Sequence, residues 1–190
     1  MLSHCVWPYE SGEVIVQNYN TLLTLDVLLQ AVDGVFLVQN EAMHAAATLL
    51  MNIARPTFDD LNHLAARSLA AAMLPAHWRP GTGGAVTRAP GAFLAATANA
   101  LASTPALRLM SLLSVPVIPE RSVDFTTFTW PALLKRLRQM LLTGSTLDEG
   151  IDWNVAPGAP GATTCAGAIL TLRGKARAMP LLWVLRTLLG

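Results

Sequence analysis

Charge is the scarcest property of this 190-residue sequence. Only 13% of its residues are Asp, Glu, Lys or Arg, about half the share of an average soluble domain. The net charge of +1 argues against a protein that binds nucleic acid through bulk electrostatics. Because 53% of the residues are apolar, the chain has ample material for a core. Much of the charged surface expected of a free-standing domain is therefore missing or covered by something else.

The sequence also lacks long apolar runs and has few cysteines. Its longest charge-free stretches, residues 89–107 and 153–172, contain Pro, Gly and polar residues, so we expect no membrane-spanning helix. The first residues carry no basic lead and no apolar core, and we expect no secretory signal. The two cysteines, Cys5 and Cys165, lie in no motif, which is typical of free thiols in a reducing compartment.

Hydrophobic patterning predicts an α/β fold, with strands and helices alternating in the first third of the chain. We expect the end of a strand at residues 6–9, a helix at 14–32, a short buried strand at 35–38 and a helix at 40–51. A helix capped by Thr57 follows and ends at Pro75. Farther along, the pattern predicts an Ala-rich helix at 92–101, a strand at 107–115, a helix opened by Thr129 and Pro131, and a strand at 166–172.

The residues alone do not assemble an active site. The glycine-rich segment at 81–84 lacks the Gly-Lys-Ser/Thr of a phosphate loop, which favours a flexible loop. Asp59 and Asp60 suit the first turn of a helix better than a paired-carboxylate site. A basic face at 135–138 fits either an acidic partner or simple solvation. The histidines have neither the spacing nor the cysteine partners of a metal site: His4, His44, His63 and His77.

Several segments, however, resemble the tubulin family. The motifs are VWPY (6–9), PYESGEVIVQNYNTLLTL (8–25), NEA (40–42) and PTFDDLNHL (56–64), followed by TTFTW (126–130), LLKRLRQML (133–141), EGID (149–152) and LRGK (172–175). They cover residues 6–75 and 107–175 in consistent order, and the second group is similar to the delta subfamily in particular.

The resemblance implies a middle slice of the tubulin fold, truncated at both ends. Residues 1–75 would be the second part of the Rossmann-like GTP-binding domain, ending in the central helix. Residues 76–176 would belong to the intermediate α/β domain, and residues 177–190 would be an apolar tail foreign to the family. The family's phosphate loop would lie upstream and its C-terminal helices downstream of this sequence.

The resemblance also implies nucleotide contacts for GTP. Asn40 and Asn62 match the asparagines that hydrogen-bond the guanine edge, and Phe58 matches the aromatic residue that stacks on the base. Glu13 and Gln17 match the ribose loop, where Gln17 replaces the usual acid. The acid that the family uses for hydrolysis would fall within residues 92–100, where no acid stands, so we expect no enzyme.

The function implied is that of a delta-tubulin-like, GTP-binding cytoskeletal protein, a structural constituent or regulator of microtubules at centrioles and cilia. Its expected location is the cytoplasm, cytoskeleton, centrosome and cilium, with other tubulins, centriolar proteins or chaperones as partners and neither nucleic acid nor membrane. For this chain alone, base contacts without phosphate contacts predict weak or absent GTP binding. The rival interpretation is a nucleotide-independent interaction module, or a non-functional fragment, whose apolar faces meet a partner tubulin or a chaperone.

Overall fold

The computed structural model describes residues 1–12, 14–74, 90–102 and 106–173, which fall into two compact units. The first contains the described residues of Met1–Met43, Ala65–Leu112 and Ala166–Arg173. The second contains those of His44–Leu64 and Leu113–Cys165. Helices combine with a small parallel sheet, which confirms the α/β class.

The first unit contains a parallel three-stranded sheet in the order β1-β2-β3. The strands are β1 (Leu2–Trp7), β2 (Gly34–Gln39) and β3 (Leu109–Ser111). Val35, Phe36 and Val38 of the central strand are buried. A central parallel strand is covered on both faces, which explains why its sequence is a continuous apolar run rather than an alternating one.

Helix α1 (Gln17–Ala31) connects β1 to β2. It begins three residues later than predicted, because Val14 and Gln17 are joined by a turn hydrogen bond that precedes the helix. At its other end, Nη1 of Arg108 donates to the carbonyl oxygens of Leu29 at 2.7 Å and Val32 at 3.1 Å. The last carbonyls of a helix have no partner within it, so this guanidinium just before β3 caps α1.

Three further helices follow β2 in the chain. Helix α2 (Asn40–Ala45) continues as a π-helical turn (Ala46–Leu50), so the predicted helix at 40–51 is present in two forms. Helices α3 (Phe58–Met73) and α4 (Pro90–Leu101) confirm the predictions from Thr57 and from the Ala-rich stretch.

The second unit is built around α5 (Trp130–Thr143), which follows a 3₁₀ turn at Glu120–Phe125. Leu134 and Met140 are its fully buried side chains, and Gly144 ends the helix in the left-handed conformation at φ 67°. The buried Gln139 donates from Nε2 to the carbonyl oxygens of Asp152 at 2.7 Å and Val155 at 2.9 Å. This one amide ties the loop after α5 to the helix.

Charged side chains of α5 also meet that loop. Nη1 of Arg136 lies 3.5 Å from Oδ2 of Asp148, whose side chain is 5% exposed. Burial raises the pKa of the Asp148 carboxyl, while the Arg136 charge works in the opposite direction. The ammonium of Lys135 lies 5.4 Å from the centroid of the Trp153 ring, a cation–π contact. Two members of the predicted basic face therefore have partners within the chain.

Three predicted strands need correction, and the domain division remains open. The strand predicted at 107–115 is only Leu109–Ser111, and β1 begins and ends earlier than the predicted segment at 6–9. The strand predicted at 166–172 is wrong, because this stretch pairs with no strand in the described part of the chain and its first four residues are exposed. The domain boundaries near 75 and 176, the glycine-rich segment and the whole tail at 177–190 lie outside the described residues, and that division stays a prediction.

Candidate functional site

The carboxyl ends of β1 and β2 lie side by side in the first unit. Trp7 is level with Gln39 in the parallel register, so the loop after β1 and the start of α2 leave the sheet at the same edge. Ligands of open α/β sheets bind at this edge. Two of the residues assigned to the nucleotide, Gln17 and Asn40, belong to the elements that begin here.

Gln17 holds the loop that follows β1. Its Nε2 donates to the carbonyl oxygen of Tyr9 at 2.6 Å. A Cβ on Gly12 would lie 1.9 Å from Oε1 of Gln17, so the loop backbone passes directly over this amide and a larger residue at position 12 would displace the Gln17 side chain. A carboxylate has no proton to give the Tyr9 carbonyl, whereas an amide does. Glu13, the other residue assigned to the ribose, lies outside the described residues.

Glu41 is a second side chain that holds this loop, and the sequence analysis assigned it no such role. Its Oε1 accepts a hydrogen bond of 2.6 Å from the backbone N–H of Glu10, 31 positions earlier. An acid in the first turn of α2 is readable from sequence, but its bond to a distant loop depends on strand register. The loop after β1 is thus fixed by α1 through Gln17 and by α2 through Glu41.

An open cleft of about 290 Å³ lies between β1 and the start of α1. Trp7 and Pro8 supply apolar surface, while Gln17, Asn20 and Thr21 supply amide and hydroxyl groups. Asn40 is half-buried at the first position of α2, and its amide has no hydrogen-bond partner among the described residues. These groups donate and accept hydrogen bonds without adding charge.

Phe58 and Asn62 lie in the second unit, at the start of α3. The start is fixed by a reciprocal capping box: Oδ2 of Asp60 accepts from the Thr57 N–H at 2.8 Å and from its Oγ1 at 2.7 Å, while the Asp60 N–H donates to Thr57 Oγ1. These hydrogen bonds from Thr57 lower the pKa of the Asp60 carboxyl. Thr57 was predicted as the cap, and the capping box confirms it.

The capping box fixes where α3 begins and therefore which side chains its first turn exposes. Phe58 is 73% exposed, and Asn62 is exposed as well. Residues four apart on a helix lie on the same face, so an aromatic ring and an amide are presented together. The structure therefore groups Phe58 with Asn62 in one unit and Gln17 with Asn40 in the other.

Comparison with known proteins agrees with the family resemblance of the sequence motifs. No family model matches the chain. Delta tubulin chains of Canis lupus familiaris and Homo sapiens are 37% and 38% identical to it over 163 residues, covering 86% and 82% of this chain. The delta tubulin chain of Mus musculus is 34% identical over 163 residues. The chain is delta-tubulin-like.

The delta-tubulin-like chain spans about a third of the length of the curated relatives it matches, from 33% to 35%. Because the identity extends over most of the chain, it supports the α/β fold class as well as the resemblance of the individual motifs. The assignment of individual residues to a nucleotide stays a prediction.

The guanine base and the phosphates of GTP place different demands on this delta-tubulin-like chain. A base needs an aromatic face and neutral hydrogen-bonding groups, and Phe58 and Asn62 present one of each on α3. Phosphates need cations or helix N-termini. Residues 1–54 contain no Lys or Arg but five acids, namely Glu10, Glu13, Asp26, Asp33 and Glu41. Residues 1–54 offer no cationic side chain to a phosphate, and the assignment of Asn40, Phe58 and Asn62 to the base stays a prediction.

Other kinds of site find less support among the described residues. Within residues 1–12, 14–74, 90–102 and 106–173, no group of three His, Cys, Asp or Glu side chains could hold a metal ion. In the same part of the chain, no helix has the length and apolar character needed to cross a bilayer.

Proposed function

We propose that this delta-tubulin-like chain is a cytoskeletal protein that recognises guanine weakly, through the base of GTP, and that it serves at the microtubules of centrioles and cilia. Its partners would be other tubulins, centriolar proteins or chaperones, rather than nucleic acid or membrane. The observation that supports guanine recognition is the pair formed by Phe58 and Asn62, both exposed on one face of α3.

The charge distribution supports weak binding. Residues 1–54, which include Gln17 and Asn40, hold five acids and no Lys or Arg, so this segment offers a triphosphate no cationic side chain. The guanine base would then supply most of the favourable interaction, through stacking on Phe58 and hydrogen bonds from amides. We expect guanosine to bind about as well as GTP, the opposite of a site built around a phosphate loop.

We propose a structural rather than a catalytic role. Residues 90–101 have the sequence PGAFLAATANAL, with no acidic side chain that could activate water for hydrolysis. A steady-state assay of phosphate release by the full 190-residue chain tests this directly. Sustained release of phosphate from GTP, absent with a Phe58→Ala variant, would contradict it.

The test of guanine recognition is thermal unfolding of the full chain with guanosine, GTP, adenosine or no ligand. We expect guanosine and GTP, each at millimolar concentration, to raise the midpoint by a few degrees and adenosine to leave it unchanged, because a ligand that binds the folded state stabilises it. A featureless melt or an aggregate would place the function with the longer relatives and would contradict the proposal for this chain.

Matched variants separate recognition from general stability. Phe58→Ala and Asn62→Ala should remove the guanosine shift. Phe125→Ala and Asn99→Ala are controls, since Phe125 is 89% exposed, Asn99 is exposed on α4, and neither residue belongs to α3. Loss of the shift in the controls as well would show that the effect is not base recognition.

A second candidate function is a nucleotide-independent interaction module. It is favoured by the exposure of large apolar side chains on and just before α1, among them Ile15 at 99% and Tyr19 at 70%. Apolar patches of this kind mark contact surfaces. A chain that melts cooperatively, ignores every nucleoside and binds a tubulin or a chaperone would favour this function.

A further inference from the structure

Helix α1 has two different faces, and only the face of mixed polar and apolar residues lines the cleft in its own unit. Gln17, Thr21 and Leu25 line the cleft against β1. The other face carries Tyr19, Leu22, Leu23, Asp26, Val27 and Gln30, which follow helical steps of three and four and which we call the outer stripe. None of the 15 residues of α1 is buried.

The outer stripe is large, apolar and nearly uncharged. Its apolar members are exposed by 70% (Tyr19), 62% (Leu22), 67% (Leu23) and 64% (Val27). Ile15 and Val16 extend the patch, with exposures of 99% and 52%. Six half-exposed or fully exposed large side chains amount to several hundred Å², of the order of the roughly 800 Å² that each partner contributes to a stable interface.

The stripe contains one charge, and its position makes the stripe complementary to itself. Oδ2 of Asp26 accepts a hydrogen bond of 3.0 Å from Nε2 of Gln30. In an antiparallel pair of α1 helices centred between Leu22 and Leu23, Tyr19 of one copy lies opposite Asp26 of the other. A phenolic hydroxyl donates to a carboxylate, so each Asp26 gains a second donor on being covered.

We propose that α1 is a self-association surface on which a second copy of this chain docks, antiparallel, about a two-fold axis. The same patch then serves both copies, as an isologous interface requires. Leu22 and Leu23 form the apolar centre of that interface, and the two Tyr19–Asp26 pairs flank it. An unrelated partner would have to supply its own donor for Asp26, whereas a second copy brings one in register.

Sedimentation velocity of the full chain between about 1 and 100 μM tests the association. We expect a concentration-dependent dimer, and Leu23→Glu should weaken it at least 100-fold, because it places a carboxylate in the apolar centre. Asn18→Glu is the matched control on the same helix, outside the stripe and in the first turn, where an acid is favourable. A monomer throughout, or a dimer indifferent to Leu23→Glu, would overturn the proposal.

A milder variant tests the same interface with less risk that the chain misfolds. Tyr19→Phe removes only the hydroxyl and should weaken the dimer about 5-fold to 10-fold while leaving the melting curve at monomer concentrations unchanged. In combination with Asp26→Asn, the loss should be smaller than the product of the two single losses, because both variants remove the same contact. Fully independent losses would contradict the Tyr19–Asp26 pairing.

Cysteine cross-linking tests the orientation. In a background carrying Cys5→Ser and Cys165→Ser, copies with Tyr19→Cys should form disulfides with copies bearing Asp26→Cys, and neither should cross-link with itself. Seven helical residues separate the two positions by about 10 Å. In the antiparallel pair, two cysteines at the same position therefore lie too far apart to form a disulfide. Cross-linking within a single variant, or none in the mixture, would overturn the proposed arrangement.

Discussion

At the scale of single residues, Gln17 determines how the loop after β1 is held. Replacing it by Glu, the acid usual at this position in the family that the chain resembles, removes the donor to the Tyr9 carbonyl. It also places a carboxylate oxygen beside that carbonyl oxygen. We expect Gln17→Glu to lower the free energy of unfolding by about 1–3 kcal/mol, measured by urea denaturation.

The same substitution separates two roles for position 17. If Gln17 serves the loop, Gln17→Glu costs stability and leaves the guanosine shift no larger than before. Asn18→Asp is a suitable control for the change from an amide to an acid, because Asn18 is the exposed neighbour of Gln17 on α1. A Gln17→Glu variant of undiminished stability and with a larger guanosine shift would show instead that this position contacts the ribose.

At the scale of elements, the start of α3 depends on the Thr57–Asp60 capping box. The pKa of Asp60 is lower in the folded chain than its ordinary value of 3.8, so the carboxylate stabilises the helix above that value. This contribution is lost as the pH falls below 3.8 and through the lower folded pKa. Asp59→Asn is the control, since Asp59 lies in the same turn outside the box.

We expect Thr57→Ala to lower the free energy of unfolding by about 0.5–2 kcal/mol. Asp60→Asn should destabilise the chain at pH 7, and the difference from the unsubstituted chain should shrink between pH 4 and pH 2. Urea denaturation at several pH values measures both effects. A pH-independent difference would show that the hydrogen bonds, and not the charge of Asp60, carry the effect.

At the scale of the whole molecule, the small net charge conceals a strong asymmetry. Residues 1–54 hold five acids and no Lys or Arg, so the remaining 136 residues hold all 13 basic and seven of the 12 acidic side chains. We expect the GTP-induced thermal shift to grow, relative to the guanosine-induced shift, as salt rises from about 20 to 300 mM, because salt screens the repulsion between phosphates and acids. A GTP shift that falls with salt would indicate cations at the phosphates.

The sequence predicted the elements whose structure depends on residues close to one another in the chain. Strand β2, the Thr57 cap and helix α5 depend on apolar runs, capping residues and a nearby proline, and all were predicted. The segment at 166–172 has the composition of a strand, but a strand forms only where another strand pairs with it, and composition does not supply that partner.

The candidate site also contains residues on predicted elements and residues whose roles depend on distant parts of the chain. Phe58 and Asn62, which were assigned from the family resemblance, lie on the helix that Thr57 predicted. The roles of Gln17 and Glu41 could not be obtained in this way, because their partners Tyr9 and Glu10 lie in an irregular loop whose path is set by strand register. The apolar face of α1 was visible only in part, since apolar residues on two sides of a helix cancel in a periodicity analysis.

The parallel pairing of β2 with β3 has a consequence for the timing of folding. Val35 is level with Leu109, 74 residues later in the chain. During synthesis at about 5–20 residues per second, β1, α1 and β2 emerge several seconds before β3. Throughout that interval the apolar β2 has a bare edge and α1 lacks its Arg108 cap. The nascent chain is thus prone to aggregate between the synthesis of β2 and that of β3, and a holding chaperone would act in that window.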